Sequence, residues 1–264
     1  MITVTSAQLS AWLAVFVWPF FRIMALVSSS PILGNVGVPK RVKIGFALAV
    51  TIVIAPILEP MPQVDPGSWA GLLILVQQVM IGLAMGLTIR IVFTSVEMVG
   101  QFVGLQMGLG FATFFDPQNA TQIPVLGQTL GLIATLVFLA LNGHLIMIEA
   151  LVQSFHELPV MAQPYSALGW KAVAGWGSEI FLAGVLMSLP VVAVLLITNL
   201  ALGIMTRAAP QLNVFAIGFP ITLGAGFLVL IVVLPYFIPL LERLLNDGFQ
   251  MMLKVAYLSR PVSP

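Results

Sequence analysis

Apolar residues fill this chain in long blocks, without the short amphipathic stretches of a water-soluble fold. About six blocks can be marked: Leu9–Val27, Ile44–Leu58, Trp69–Phe93, Ile123–Ile148, Ile180–Met205 and Leu212–Leu241. Uninterrupted apolar runs of roughly 18 residues or more read as membrane-crossing helices. A seventh stretch, Val99–Phe115, is apolar but glycine-rich and irregular. The breaks between blocks are Ser28–Pro39, the cluster of Pro60, Pro62 and Pro66, and Pro159–Gly177. Proline lacks the amide donor and glycine tolerates positive φ, so these are turns. Lipid offers the backbone no hydrogen-bond partner, which leaves helices or a closed barrel. The strict alternation of a barrel strand is absent. The expected fold is therefore an all-α integral membrane protein of kinked and broken helices, forming a single membrane-embedded domain over 1–264.

Composition narrows the picture further. Of 264 residues, 60% are hydrophobic and 7% charged, against about 25% charged in soluble domains. No charge stands between Glu97 and Asp116, or from Ala208 to Leu241. Too few charges remain to coat a water-facing surface. The net charge of +1 gives no reason to expect nucleic acid as a partner. The chain has no cysteine, which removes disulfides, thiolate catalysis and cysteine metal clusters. No Lys or Arg precedes Arg22, so the first apolar block lacks the basic start of a cleaved secretory signal and is expected to be retained.

The basic cluster Lys40, Arg41 and Lys43 assigns its loop to the cytoplasm. The loop with Glu59 and Asp65 and the Glu149–Glu179 connection then fall outside, and Arg207 falls inside. The same count puts both chain ends outside, although Arg243, Lys254 and Arg260 lie near the C-terminus. Simple up-and-down spanning therefore fits poorly. Pro19, Pro190, Pro235 and Pro239 also interrupt the blocks, and such helices survive in a membrane where protein or a cavity supplies partners. Glycines recur at four-residue steps, Gly82/Gly86, Gly100/Gly104/Gly108 and Gly127/Gly131. On a helix such a step forms one small-residue face that lets a neighbouring backbone approach closely.

Few residues offer chemistry. His144 and His156 are the only histidines, and no carboxylate pair has hydrolase or metal-ligand spacing, so neither a metal site nor a catalytic set is expected. His144 reads either as a protonatable relay group or as a helix-end histidine. Arg22, Arg90, Glu97 and Arg207 sit in apolar surroundings. Each is to be paired, snorkelling or facing a wet path. Most informative is the run from Gly104 to Pro117. Gly104, Gly108 and Gly110 loosen the helix, Asp116-Pro117 starts a turn, and Met107, Phe111, Phe114 and Phe115 lie between. The run is either an ordinary connection with core-facing aromatics or a mobile loop closing a pore, since hydrophobic constrictions gate by dewetting and methionine is pliable.

The segment Thr206-Arg207-Ala208-Ala209-Pro210-Gln211-Leu212-Asn213-Val214-Phe215-Ala216-Ile217-Gly218-Phe219-Pro220 resembles the signature of the FliR family of type III export-gate subunits. Pro31–Pro39 with Arg41, Gly108–Pro117, and Asn142-Gly143-His144 with Ser154-Phe155 and Pro159 match the same family in order. The resemblance covers essentially the whole chain and leans to the flagellar branch over the virulence branch. It implies an inner-membrane component of the flagellar basal body with no enzyme activity and no cofactor. It implies a FliP-like N-terminal part and a FliQ-like C-terminal part, set high relative to the bilayer in a ring with FliP- and FliQ-like subunits. Further implied partners are FlhB- and FlhA-like components, rod proteins, the lipid membrane and unfolded flagellar proteins in transit.

The resemblance places a pore plug on Gln106–Gln122, with Met107, Gly108, Gly110, Phe111, Phe114, Phe115, Asp116 and Pro117 as its residues. Helix packing and assembly fall to Gly100, Gly104, Arg207, Pro210, Asn213, Phe215, Gly218 and Pro220. The rival readings are a secondary transporter or ion-channel subunit, which would show paired internal repeats and midplane charges, and a pure scaffold. An intramembrane enzyme conflicts with the lack of cysteine and of paired His, Asp and Glu.

Overall fold

A computed structural model describes residues 6–59, 61–62, 64–111, 124–211 and 214–260. Side chains are described from Ala14 on, except those of Phe111, Val214 and Phe215. Within these residues the regular structure is helical. The elements are α1 (Ser6–Ser29), α2 (Lys40–Ile54) with a 3₁₀ turn at Ala55–Ile57, α3 (Trp69–Gln106) with a 3₁₀ turn at Leu109–Phe111, α4 (Val125–Ala140), α5 (Gly143–Glu157), α6 (Leu168–Trp176), α7 (Glu179–Ala208) and α8 (Val214–Leu258). Three helical stretches among the described residues are long and apolar enough to cross a membrane, Trp69–Gln106, Leu168–Ala208 and Ala216–Leu258. A fourth arises if α4 and α5 form one broken span.

Three boundaries differ from those expected. The glycine-rich stretch starting at Val99 is not separate from the block before it, because α3 runs unbroken to Gln106. Gly100 and Gly104 cost helix propensity, but the helix continues through both. Ile123–Ile148 is not one helix. Asn142 stands at φ 55°, a left-handed conformation that Asn tolerates better than most residues, and it ends α4 and starts α5. The last block does not stop at Leu241. Beyond the charges of Glu242 and Arg243 the helix continues amphipathically, with Leu244, Leu245, Phe249, Met252 and Val255 buried. Pro19, Pro190, Pro220, Pro235 and Pro239 all lie inside helices that continue past them.

The contacts fall into two compact units. One holds the chain up to Ile91, Asn142–Gly177 and the part from Asn246 on. Its α1 and α3 meet through glycine. A side-chain carbon at Gly82 would fall 2.8 Å from Ala25 Cβ, and one at Gly86 would fall 2.9 Å from the Leu26 carbonyl oxygen. Only hydrogen at these positions permits the approach. On the other side, Ala84, Val173, Met251 and Val255 form a buried cluster flanked by Trp170 and Trp176. The Trp176 indole donates to the Thr88 carbonyl at 3.1 Å. The chain end is tied back by Ser166 N–H donating to Ser259 O at 3.0 Å and by the ion pair of Arg260 with Glu157.

Arg22 is the polar centre of this unit, and it is fully buried. Its Nε donates to Gln78 Oε1 at 2.8 Å. One terminal nitrogen donates to Ser154 O at 3.0 Å and Ser154 Oγ at 3.3 Å, and the other to Leu158 O at 2.9 Å. The guanidinium also lies 4.1 Å from the Phe155 ring centre, a cation–π contact. Ser154 and Leu158 stand at the end of α5, where the helix dipole is negative, and the Ser154 carbonyl accepts from Arg22 as well as from Leu158 N–H at 2.9 Å. A buried cation is thus matched by the negative end of a helix and by neutral acceptors. Removing it strands the buried acceptors Gln78 Oε1 and Leu158 O at about 1–3 kcal/mol each. Arg22→Met, which keeps the bulk and removes the donors, is expected to cost about 3 kcal/mol or more and to lower the detergent-solubilised melting temperature and yield. An unchanged melting temperature would show that packing alone holds this junction.

Candidate functional site

The second unit, Val92–Leu141 with Ser178–Leu245, carries the glycine- and phenylalanine-rich run. Its two sides, α3 and α4, are held together by backbone contact. A side-chain carbon at Gly100 would lie 2.5 Å from the Leu126 carbonyl carbon and closer still to the Gly127 backbone. One at Gly127 would lie 2.8 Å from Glu97 O. Neither position admits a methyl group. Phe93 on α3 and Phe138 on α4 meet edge to face at 5.7 Å. Gly184 of α7 receives Met98, whose Cγ would stand 2.9 Å from an added carbon. The Ser95 hydroxyl donates to Glu179 O at the start of α7 at 3.2 Å.

The end of α3 is then closed in a defined way. Met107 N–H donates to Val103 O at 2.9 Å and Gly108 N–H to Leu105 O at 3.1 Å. Gly108 has φ 80°, the left-handed conformation with which glycine ends helices. Met107 itself is fully buried. Its thioether lies on Gly226 of α8, where a side-chain carbon would meet its Cγ at 2.6 Å, Sδ at 2.7 Å and Cε at 2.8 Å. The Thr222 hydroxyl, 3.0 Å from Phe219 O, is also 3.4 Å from Met107 O. Gly108 starts a short path through the 3₁₀ turn Leu109–Phe111, and the chain returns to the described region at Pro124, which precedes α4.

The other residues singled out in the sequence are distributed as follows. Phe114, Phe115, Asp116 and Pro117 lie outside the described residues, as does Asn213. Phe111 and Phe215 are described in their backbone only. Gly104 sits in ordinary contact, with Leu109 and Leu126 carbons 3.8 and 3.9 Å from an added carbon. Gly110 is near Leu105 at 3.5 Å. Arg207, in the last turn of α7, is exposed, as are Pro210 and Pro220, whereas Gly218 is buried. Glu97, Arg90 and His144 are exposed. The Met107 seat on Gly226 and Thr222 has no counterpart in the sequence reading. Its only trace there is a small, partly polar patch, Thr222-Leu223-Gly224-Ala225-Gly226, within an apolar run.

The described geometry is a glycine-stapled helix pair, α3 and α4, with Met107 seated on α8. Residues 13–248 match the model of the bacterial export proteins, family 1. The chain belongs to this family. It is 43% identical over 252 residues to the flagellar biosynthetic protein FliR of Escherichia coli K12, covering 96% of each chain. It is 40% identical to the protein of that name from Pectobacterium carotovorum, again over 96% of each. The FliR of Bacillus subtilis is 32% identical, with 82% of this chain and 85% of that one covered. Family membership with the long apolar helices makes this a membrane-embedded member of the bacterial export proteins.

Two substitutions separate the tight crossing from its surroundings. Gly100→Val forces α3 and α4 apart and is expected to cost more than the 1–3 kcal/mol of ordinary overpacking, because it displaces backbone. Gly104→Ala, with room for a methyl group, is expected to be neutral or stabilising by up to about 1 kcal/mol. Thermal unfolding of the two purified variants in mild detergent checks the contrast.

Proposed function

We propose that the chain is a subunit of the flagellar type III protein-export gate in the bacterial inner membrane. In this reading it joins FliP- and FliQ-like subunits around a passage for unfolded flagellar proteins, and the segment Gln106–Gln122 closes that passage at rest. FlhB- and FlhA-like components and the rod are its further neighbours. One observation supports the reading: the described residues flanking the glycine- and phenylalanine-rich run are fixed, by Gly100 against Gly127 and by Met107 on α8. A stopper needs a rigid mount and a soft tip, and compressible Phe and Met side chains close around contents of any sequence.

Assembly is supported by what the second unit leaves uncovered. Leu228, Ile231 and Val232 of α8 are 68%, 69% and 67% exposed, and Ile197, Leu200 and Ile204 of α7 are exposed to similar degrees. Such faces are covered by lipid or by neighbouring apolar helices. Arg207 stands at the end of α7 beside this face, within the Thr206–Pro220 run that carries the family resemblance.

Deleting Gly110–Asp116 is expected to raise the resting ion conductance of the assembled complex in proteoliposomes. Unchanged conductance would reject a closing role for the loop. Arg207→Ala is expected to lower recovery of the intact complex in a pull-down from membranes. Intact complex with lost export would instead assign Arg207 to conduction.

A further inference from the structure

Lys40, Arg41 and Lys43 read alike in the sequence, but the structure divides them. The chain between α1 and α2 is tightly built. Gly34 sits against the end of α1, where an added side-chain carbon would stand 2.5 Å from Ser28 O and closer still to Ser30 O. Asn35 Oδ1 accepts from Gly37 N–H at 2.9 Å. Lys43 Nζ turns back on this loop and donates to Gly34 O and Asn35 O, each at 3.0 Å. Lys40 and Arg41 are exposed, and their side chains have no hydrogen bond or ion pair among the described residues. Both stand in the first turn of α2, which holds no acidic residue, at the helix end where the dipole disfavours a cation. Val36, at the tip of the same loop, is fully exposed.

We infer that Lys40 and Arg41 hold the phosphate headgroup of an anionic phospholipid, whose acyl chains lie on the free face of α2. This surface belongs to the first unit and is independent of the role of Gln106–Gln122. α2 folds back along α1 and buries Ala47, Thr51 and Ile54. Its other face exposes Ile44, Leu48 and Ile52, in line with Arg41 at helical spacing. A side-chain carbon at Gly45 would meet nothing within 4 Å, so this face is open beside Ile44. Two free cations at the head of an apolar face match a phosphate set above acyl chains. From Ile44 to Ile57 no hydrogen-bonding side chain is exposed, whereas a neighbouring helix would use such groups as glue. α3 runs parallel to α1, with Gly82 beside Ala25 and Gly86 beside Ser29. Exposed Trp69, at the start of α3, therefore lies toward the end remote from Lys40. Basic residues at one end and tryptophan at the other mark the two headgroup levels of a bilayer.

The chain lacks cysteine, so a single nitroxide label can report what covers α2. Ile52→Cys is labelled in the full chain, copurified with its partner subunits and reconstituted in vesicles of phosphatidylcholine and phosphatidylglycerol in equal parts. The label is expected to be relaxed by molecular oxygen and not by a water-soluble nickel chelate, as at a lipid-facing site. A label immobilised and shielded from oxygen would put a protein partner on this face and overturn the lipid site. Headgroup binding is read from the phosphatidylglycerol that stays with the detergent-purified full chain in native mass spectrometry. Lys40→Gln with Arg41→Gln is expected to weaken retention about thirtyfold. Lys40→Arg with Arg41→Lys, which keeps both charges, is expected to retain the lipid. Lys43→Gln, which loosens the loop, is expected to lower the melting temperature and leave retention unchanged. Undiminished retention in the double glutamine variant, or a loss as large in Lys43→Gln, would overturn the assignment. Equal retention of phosphatidylcholine would do the same.

Discussion

The contact of Gly100 with Gly127 is the constraint from which the candidate site follows. With only 7% charged residues, ion pairs cannot by themselves set the register of all these helices. In lipid the hydrophobic effect gives no preference for one apolar face over another. What remains is shape. Two glycines that allow backbone to touch backbone fix the depth at which α3 and α4 cross, and so fix where the chain between them leaves the helices. Gly184, receiving Met98, brings α7 to the same assembly of helices. Met107 on Gly226 adds α8. Each of these contacts is a large side chain or a backbone filling the place of a missing Cβ, and each is lost by adding a few atoms.

The first unit uses the same device between α1 and α3, and again where Gly169 of α6 meets Val255 O of α8, and then adds a polar centre. Arg22 has no carboxylate among its hydrogen-bond partners. It is held by Gln78, Ser154 and Leu158, with Phe155 against its face. A guanidinium presents five donors in a planar fork, and one such group can join α1, α3 and the end of α5 where three separate side chains would otherwise be needed. This specificity comes with a penalty for misfolded alternatives. Any arrangement of helices that separates Arg22 from the end of α5 leaves a cation in apolar surroundings.

Much of this was legible in the sequence, and the failures have physical causes. The helical class followed from block length and charge scarcity, and Gly100, Gly127 and Gly82 were marked by their spacing. Spacing, however, says only that a small face exists. It does not say that Gly100 touches backbone while Gly104 keeps ordinary distances. The break within the fourth block depended on the φ of Asn142, and Leu141-Asn142-Gly143 looked no weaker than glycine runs that stay helical in α3. Helix α6 was missed because Pro159–Gly177 is rich in turn residues, and its apolar positions make sense only against Ala84 and Met251. The seat of Met107 joins residues from distant parts of the chain without charge or motif, so no local pattern could have announced it.

On the proposed function, the contacts of Gly100 with Gly127 and of Met107 with Gly226 anchor the two described ends of the closing segment, in a member of the bacterial export proteins. That combination suits a passage that must stay shut to ions and yet admit polypeptide of any sequence. The most direct test is to place a photoreactive benzoylphenylalanine at position 111 of the chain assembled in cells, and to irradiate while an export substrate is arrested in transit. A covalent adduct between position 111 and the arrested substrate, absent when export is blocked upstream, is the expected result. Adducts confined to lipid or to the chain's own helices, with substrate demonstrably in transit, would contradict a gate built from this loop.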